Sequence, residues 1–461
     1  MPRKITAALG VLSLALLALG SAVASAPARA TAGHSATIAA DSPITADSPI
    51  KHVVIIYQEN HSFDDVLGQL CQTRATPCNG YTGPVTFADG IAADNVVEPD
   101  VIPNIVHDPH SQALGMSDNW DGIVGCQSPP YNCITHIDPA NIPNLASLTN
   151  TFTVSDATFA SNPTASFGAH VTLAAGTING FAGNNPVKST TGVKPGPGWG
   201  CPSHRDALWG PPGSQTYVPS CIPDARGRGP YRSSPVPNAP TIMQHMENKG
   251  LSWHIYQGTS TVSPSNGTFA VCTYFAWCLR NRFNLNYDSS SNDFLTAAQG
   301  GTLPNLSMLI PAGGVSQHNG TSMVSGDNYI GQMVSAAENG PEWDSTAIFI
   351  TYDDCGCFYD HVTPPSGLGM RNPMVIVSPW AKPGYTDSTV AVQPYSMLAF
   401  VQHAFGLAPL TSNVDNAYDY ADAFDFTQQP VSGPAMTTTT IPRSEQRQLA
   451  RLLPEVDDDP T

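Results

Sequence analysis

The sequence predicts an α/β fold with a mostly parallel central sheet flanked by helices. Short runs of β-branched and apolar residues recur from residue 51 onward, and segments with helical spacing lie between them. Strand followed by helix, repeated, is the pattern of a sheet whose parallel strands are joined by helical crossovers. Composition agrees: 461 residues, 41% hydrophobic and only 12% charged, describe a globular chain able to bury one large core or two modest ones.

The first 30 residues stand outside this fold. Arg3 and Lys4 precede an apolar run over 5–23, and small residues follow in Ala-Ser-Ala (24–26) and Ala-Arg-Ala (28–30), as in a secretory signal peptide. Cleavage is expected after Ala30, because Pro27 would follow a cut after Ala26. No cysteine follows the run, so a lipid anchor is not indicated, and no later segment approaches the roughly 18 apolar residues of a membrane span. A soluble, exported mature chain with no integral membrane segment is expected.

Residues 31–50, with "ADSPITADSPI", read as a polar linker. The main domain is expected over 51–428. Its strand candidates are 52–57, 152–157, 252–256, 306–310, 347–352 and 374–378, and helical spacing marks 241–250, 327–340 and 395–406. Residues 183–240 ("KPGPGWGCPSH", "WGPPGS") are rich in Gly and Pro and read as an insertion over one face, either at the substrate entrance or as a surface excursion. A tail from 429, ending in "EVDDDPT", is expected to be mobile, and no internal repeat is visible.

The formal charge is −17, and loss of residues 1–30 removes three basic residues and no acids, giving −20. Such a chain is ill suited to bind nucleic acid or anionic lipid surfaces electrostatically. The ten cysteines fall in close pairs, 71/78, 126/133, 201/221, 272/278 and 355/357, and local disulfides are expected in an exported chain. Zinc ligation is the weaker alternative, since no two CxxC units occur.

Two strand candidates end in acidic clusters. "HVVIIYQENHSFDDVLG" gives Glu59-Asn60, and "AIFITYDDCGCFYDH" gives Asp353-Asp354 followed by Asp360-His361. Adjacent carboxylates at the end of a buried strand repel each other unless a cation neutralises them, and no Lys or Arg lies near either cluster in sequence. A hard divalent cation held by oxygen ligands is the simpler compensation. Between them, "FTVSDATFASNPTASFGAHVTLAAGT" leads through 162–165 to Ser166 at the start of a helix over 167–175, a place that suits an N-cap, an anion site or a nucleophile. His107, His110, His318 and His361 lie near these elements, and imidazole is the side chain best able to donate a proton near neutral pH.

These residues resemble a known family. "HVVIIYQENHSFDDVLG" is similar to the ENRSFD opening motif of the bacterial phosphoesterases that include phosphatidylcholine-type phospholipases C and a group of acid phosphatases, enzymes of alkaline-phosphatase-like fold. The similarity continues through "NWDGIVG", "GTLPNLSMLIP", the segment 315–354, "FYDHVTPP" and "VSPWAKPGY", over about residues 50–428. The resemblance implies that Glu59, Asn60, Asp353 and Asp354 hold one divalent metal cation. It also implies that Ser166 is the nucleophile, counted back from Gly176-Thr177, and that His318 and His361 are active-site histidines, joined by His107 or His110.

Three departures stand out: His61 replaces the usual Arg, "DDCGC" replaces "DEHGG", and "VQPYS" (392–396) lacks a histidine common before the last helix. The chain also ends soon after the catalytic region, which weighs against a membrane-lipid substrate. The expected function is a secreted metal-dependent phosphoesterase acting through a phosphoseryl intermediate, of acid phosphatase or phospholipase C type. Its substrate would be a small phosphate ester or phospholipid headgroup. The alternative is an exported binding protein on the same fold that has lost turnover. Finally, Cys355 and Cys357 flank Gly356 directly after the acidic pair and are expected to form a disulfide that fixes that loop.

Overall fold

A computed structural model of the chain describes residues 42–456 apart from 190–191, 197, 228–229, 258–268, 270, 283–285, 289–291 and 312. The signal peptide, the linker as far as residue 41 and the last residues of the tail lie outside the described residues.

The main sheet has eight strands: β1 (His52–Gln58), β2 (Thr153–Ser155), β3 (Trp253–Gln257), β4 (Tyr287–Asp288), β5 (Leu306–Ile310), β6 (Thr346–Tyr352), β7 (Met374–Val377) and β8 (Thr386–Asp387). Their order is β4-β3-β5-β1-β6-β7-β2-β8. All neighbours pair in parallel except across β7, which runs against both β6 and β2. The parallel part therefore follows the sequence expectation. The reversal of β7 does not show in hydrophobic periodicity, which reports burial and not direction.

β1 is central because both its faces are apolar. Val53, Ile55 and Tyr57 point to one side, and Val54 and Ile56 to the other, all fully buried. The helices that cover these faces include α1 (Phe63–Thr73), α2 (Ser166–Ala175), α3 (Met323–Glu338) and α4 (Tyr395–Ala404). Phe167 and Val171 of α2 and Met397 and Phe400 of α4 pack with Val53, Ile55 and Phe349. Phe63 and Leu67 of α1 and Ile330 and Met333 of α3 pack with Val54, Ile56 and Ile350 on the opposite side. Each such side chain contributes roughly 1.5–3 kcal/mol on burial.

Register sets up the site. β1 and β6 run side by side from His52↔Thr346 to Gln58↔Tyr352, so Glu59 and Asp353 leave adjacent strand ends at the same level. The Asp353 N–H donates to the Gln58 carbonyl at 2.9 Å, and the Glu59 N–H to Ser316 O, just beyond β5, at 2.9 Å. Three neighbouring parallel strands thus deliver their following loops to one carboxyl edge, where α/β sheets bind ligands.

The Gly/Pro-rich region 183–240 builds a small antiparallel sheet from Val187–Lys188, Arg205–Trp209 and Thr216–Pro219. Trp199 of this region packs edge-on to Phe167, so the region lies against the helix that begins at Ser166. Beyond residue 429 the chain is tied down, contrary to the expected mobile tail. The Thr437 and Thr439 N–H groups donate to Asn144 Oδ1 and Asn328 Oδ1 at 2.7 and 2.8 Å, and a helix follows over Arg443–Val456. The amide side chains of Asn144 and Asn328 replace the strand partners that this segment lacks.

Four of the five expected disulfides are formed: Cys71–Cys78, Cys126–Cys133, Cys201–Cys221 and Cys272–Cys278. The fifth is not. Cys355 and Cys357 are free and buried, with their sulfurs 3.9 Å apart and the Cys357 N–H donating to Cys355 Sγ at 3.2 Å. Gly356 and Cys357 both have positive φ, +55° and +53°, so a tight backbone turn shapes this loop without a covalent bridge.

Candidate active site

Glu59 and Asn60 follow β1, and Asn60 adopts a left-handed conformation (φ +57°) that turns the chain away from the sheet. Its N–H donates to Asp353 Oδ1 at 2.9 Å, and the same oxygen accepts the Asp354 N–H at 2.8 Å. The Gly356 N–H donates to Asp354 Oδ1 at 2.8 Å. A Cβ at Gly356 would lie 2.0 Å from the Asn60 carbonyl oxygen, so only glycine allows the two strand-end loops to pack this closely. One oxygen of each aspartate is thereby fixed by backbone N–H groups, and the other, Asp353 Oδ2 or Asp354 Oδ2, has no hydrogen-bond partner.

Ser166 is the first residue of α2. Its neighbour Ala165 occupies the N-cap position, so the Ser166 hydroxyl is not the cap. Instead Oγ faces Glu59 Oε2 at 3.3 Å and Asn60 Oδ1 at 3.4 Å. The helix start is also less open to an anion than the sequence suggests, because Asn185 Oδ1 accepts the Phe167 N–H at 2.9 Å.

Glu59, Asn60, Ser166, Asp353 and Asp354 thus converge as expected, all essentially buried. Burial, followed by Asp353 and Asp354, pushes the Glu59 carboxyl well above the usual carboxylate range, and burial followed by Asp353 does the same to Asp354. Among the described residues no Lys or Arg forms an ion pair with these acids.

His107 and His318 meet on another wall, with ring centroids 5.7 Å apart. Each sets its Nδ1 against a backbone carbonyl, Ile105 O at 2.8 Å and Asn319 O at 2.9 Å, so each Nδ1 carries the proton. His107 Nε2 is buried without a partner. Gln112 ties this loop to the one before Ser166, donating to His107 O at 2.9 Å and Thr164 O at 2.7 Å. The structure therefore separates the two histidines that sequence left open: His107 is buried in this wall and His110 is exposed on a short helix (Pro109–Gly115).

His361, expected among the active-site histidines, is engaged elsewhere. Its Nδ1 lies 2.5 Å from Asp64 Oδ2 and its Nε2 3.1 Å from Asn79 Oδ1, beside the buried Arg371 that bonds both Asp64 and Asp360 at 3.0 Å. The cause is Arg371: its guanidinium gathers these carboxylates, and His361 pairs with one of them.

His61, which replaces an arginine of the resembling motif, also has a clear role. Its Nδ1 lies 2.8 Å from Asp65 Oδ2 and its Nε2 3.0 Å from the Gln317 carbonyl. The ring thus bridges Asp65 on α1 to the loop after β5, at the position where the resembling motif has an arginine. The ring stacks on Phe358 at 4.8 Å. His61→Ala is expected to cost about 3 kcal/mol of stability by leaving Asp65 Oδ2 and the Gln317 carbonyl buried without this partner and removing the ring packed on Phe358, measurable by urea unfolding. A loss below about 1 kcal/mol would show that the pair is not held in this way.

Three groups of acids and histidines lie close enough to hold a cation: Glu59/His170/Asp353, His61/Asp65/Glu98 and Asp64/Asp360/His361. The third has Arg371, and in the second His61 bonds Asp65, with Glu98 Oε1 as its one unpartnered ligand atom. The first has no Lys or Arg partner among the described residues and holds three unpartnered ligand atoms, Glu59 Oε1, Asp353 Oδ2 and His170 Nε2. The donor set of carboxylates and an amide therefore fits a divalent metal.

His170 was missed by the sequence reading because it sits inside an apolar helical run; its signal is the i, i+4 spacing from Ser166. Burial lowers its basicity, partly offset by Asp353. Gln393 donates to the hydroxyl of Tyr57, whose ring meets His170 edge-on, at 2.8 Å. A cleft of about 550 Å³ lined by Tyr329, Gln332, Asn339 and Thr437 has no carboxylate or imidazole in its wall and is not this site.

The chain is similar in sequence to several known proteins. The chain is 25% identical over 449 residues to phospholipase C A of Mycobacterium tuberculosis, covering 83% of this chain and 78% of that one. It is 24% identical to the non-hemolytic phospholipase C of Burkholderia pseudomallei and 25% identical to non-specific phospholipase C1 of Arabidopsis thaliana. These matches cover 85% and 73% of this chain, which spans only 61% and 62% of the relatives' lengths. Among solved structures, a protein in the alkaline phosphatase superfamily from Vibrio parahaemolyticus aligns over 92% of both chains at 11% identity and a TM-score of 0.39, a likeness too loose to bear argument. A profile described as the Phosphoesterase family matches residues 50–408. The chain belongs to the Phosphoesterase family, and it is a hydrolase acting on phosphoric ester bonds.

Proposed function

We infer that the protein is an exported phosphoesterase that uses one divalent cation and a phosphoseryl intermediate. The observation that supports this best is that Glu59 and Asn60 face the Ser166 hydroxyl while Asn60 is bonded to Asp353, next to Asp354, with unpartnered buried carboxylate oxygens and no Lys or Arg ion pair among the described residues. A bound cation would neutralise these carboxylates and favour the ionised form of the Ser166 hydroxyl.

Ser166 Oγ attacks phosphorus in line, and the bond from phosphorus to the leaving oxygen breaks. His318, which shares Phe269 with His170 at ring distances of 6.0 and 5.4 Å, and its neighbour His107 would, with Nε2 also protonated, be suited to give the leaving oxygen its proton or to bond the phosphoryl oxygens. Water then cleaves the phosphoserine and restores the hydroxyl.

The phospholipase C relatives favour a phosphodiester or phospholipid headgroup substrate, and acid-phosphatase-type hydrolysis of monoesters is the other option. Four disulfides support an oxidising compartment, and no helix among the described residues is long and apolar enough to cross a membrane. Assay with p-nitrophenylphosphorylcholine and p-nitrophenyl phosphate, before and after chelation, tests the reading. Turnover of either ester that is lost on chelation and restored by a divalent ion is expected. Absence of turnover on both, with metal loaded, would favour a binding protein.

A further inference from the structure

The geometry points to His170 as a nitrogen ligand of the proposed metal, in addition to the oxygen ligands, which would give the site a preference for a divalent transition metal over Mg²⁺ or Ca²⁺. This rests on the metal-dependent reading of the site and goes beyond it in naming a further ligand and the metal class.

Three observations carry it. First, His170 Nδ1 lies 2.8 Å from the Ser166 carbonyl oxygen, an acceptor, so Nδ1 holds the proton and the lone pair is on Nε2. A backbone carbonyl on the far nitrogen is the usual outer partner of a metal-bound imidazole, fixing its tautomer and orientation. Second, Nε2 is fully buried, has no hydrogen-bond partner and lies 3.5 Å from Glu59 Oε1, which has none either. The 3.5 Å between Nε2 and Glu59 Oε1 matches two neighbouring donors around an ion bonded at about 2.1 Å, and ligand atoms of Glu59, His170 and Asp353 all lie within 4.8 Å of one another. Third, the ring is clamped. Tyr57 meets it edge-on at 5.1 Å, Phe269 stacks on it at 5.4 Å, and the Tyr57 hydroxyl is in turn held by Gln393.

An unpartnered imidazole nitrogen facing an unpartnered carboxylate oxygen, in a site with no other cation, is explained if both face the same ion. Imidazole suits Zn²⁺, Fe²⁺, Ni²⁺ or Cu²⁺, whereas an all-oxygen set suits Mg²⁺, Ca²⁺ or Mn²⁺; Mn²⁺ binds either set and so serves as the paramagnetic probe. The Ser166 carbonyl then links this ligand to the nucleophile's own backbone.

The test uses the full-length protein, stripped with a chelator and reloaded with one equivalent of Mn²⁺. Pulsed electron paramagnetic resonance should show modulation from an imidazole ¹⁴N bound to the metal. In His170→Gln this modulation should vanish and Mn²⁺ affinity should fall by about 10- to 100-fold, with Mg²⁺ affinity little changed. The control His245→Gln, on the separate helix Ile242–Asn248, should keep the signal. Stoichiometric Mn²⁺ without ¹⁴N modulation in the unmodified protein would overturn the assignment of His170 while leaving the oxygen-ligand reading intact. Failure to bind any divalent ion would overturn both. Modulation that persists in His170→Gln would also overturn it, and if that variant fails to fold, His107→Gln and His318→Gln proteins that keep the modulation assign it to His170.

Discussion

Ser166→Ala should reduce turnover by at least about 10³-fold while leaving the fold unchanged. Loss of a nucleophile removes the covalent step itself, and what survives is only the acceleration from the remaining site. Stability should change by no more than about 1 kcal/mol, because Ala165 and not Ser166 is the helix cap, and the two contacts of the hydroxyl, at 3.3 and 3.4 Å, are long. Steady-state kinetics and thermal unfolding on one preparation separate the two effects. A variant with near-normal kcat would show that the nucleophile lies elsewhere.

The second large effect concerns the acids. Asp353→Asn and Glu59→Gln should each weaken metal binding by about 100-fold or more, since each removes a charged ligand from a site without other cations. The sign should reverse on chelation. In metal-free protein Glu59, Asp353 and Asp354 form a buried cluster of like charges, so neutralising one is expected to raise the melting temperature. In metal-loaded protein the same change should lower it. Asn at 353 can still accept the Asn60 and Asp354 N–H groups through its remaining oxygen, so the loop is preserved. Full metal occupancy in both variants by elemental analysis would contradict the ligand set.

Much of this was legible in the sequence, for identifiable reasons. The central strands were readable because β1 and β6 are buried on both faces and so appear as continuous apolar runs. The acidic pairs at their ends were readable because buried strands seldom run into carboxylates without purpose. That Glu59 and Asp353 stand side by side depends on the register Gln58↔Tyr352, which is a pairing between distant segments and leaves no local trace.

Other features depended on contacts that sequence does not carry. Ser166 could have been a cap, and only the position of Ala165 decides otherwise. His107 and His110 differ in burial and not in local pattern, and His170 is hidden in an apolar helix whose chemistry shows only when Glu59 is brought to its ring. His361 was placed in the site by motif, yet Asp64 and Arg371 hold it in a separate ion-pair network. The Cys355/Cys357 bridge was inferred from spacing and compartment, whereas a positive-φ turn leaves the sulfurs 3.9 Å apart.

The central claim is that the Ser166 hydroxyl becomes phosphorylated during turnover. Mixing metal-loaded protein with excess p-nitrophenyl phosphate or p-nitrophenylphosphorylcholine, quenching in acid within the first turnovers and mapping the peptides by mass spectrometry tests it directly. The account predicts a phosphorylated or phosphocholine-modified Ser166, absent after chelation and absent in Ser166→Ala. Steady turnover with an unmodified Ser166 peptide, or the phosphoryl group on another residue, would contradict it.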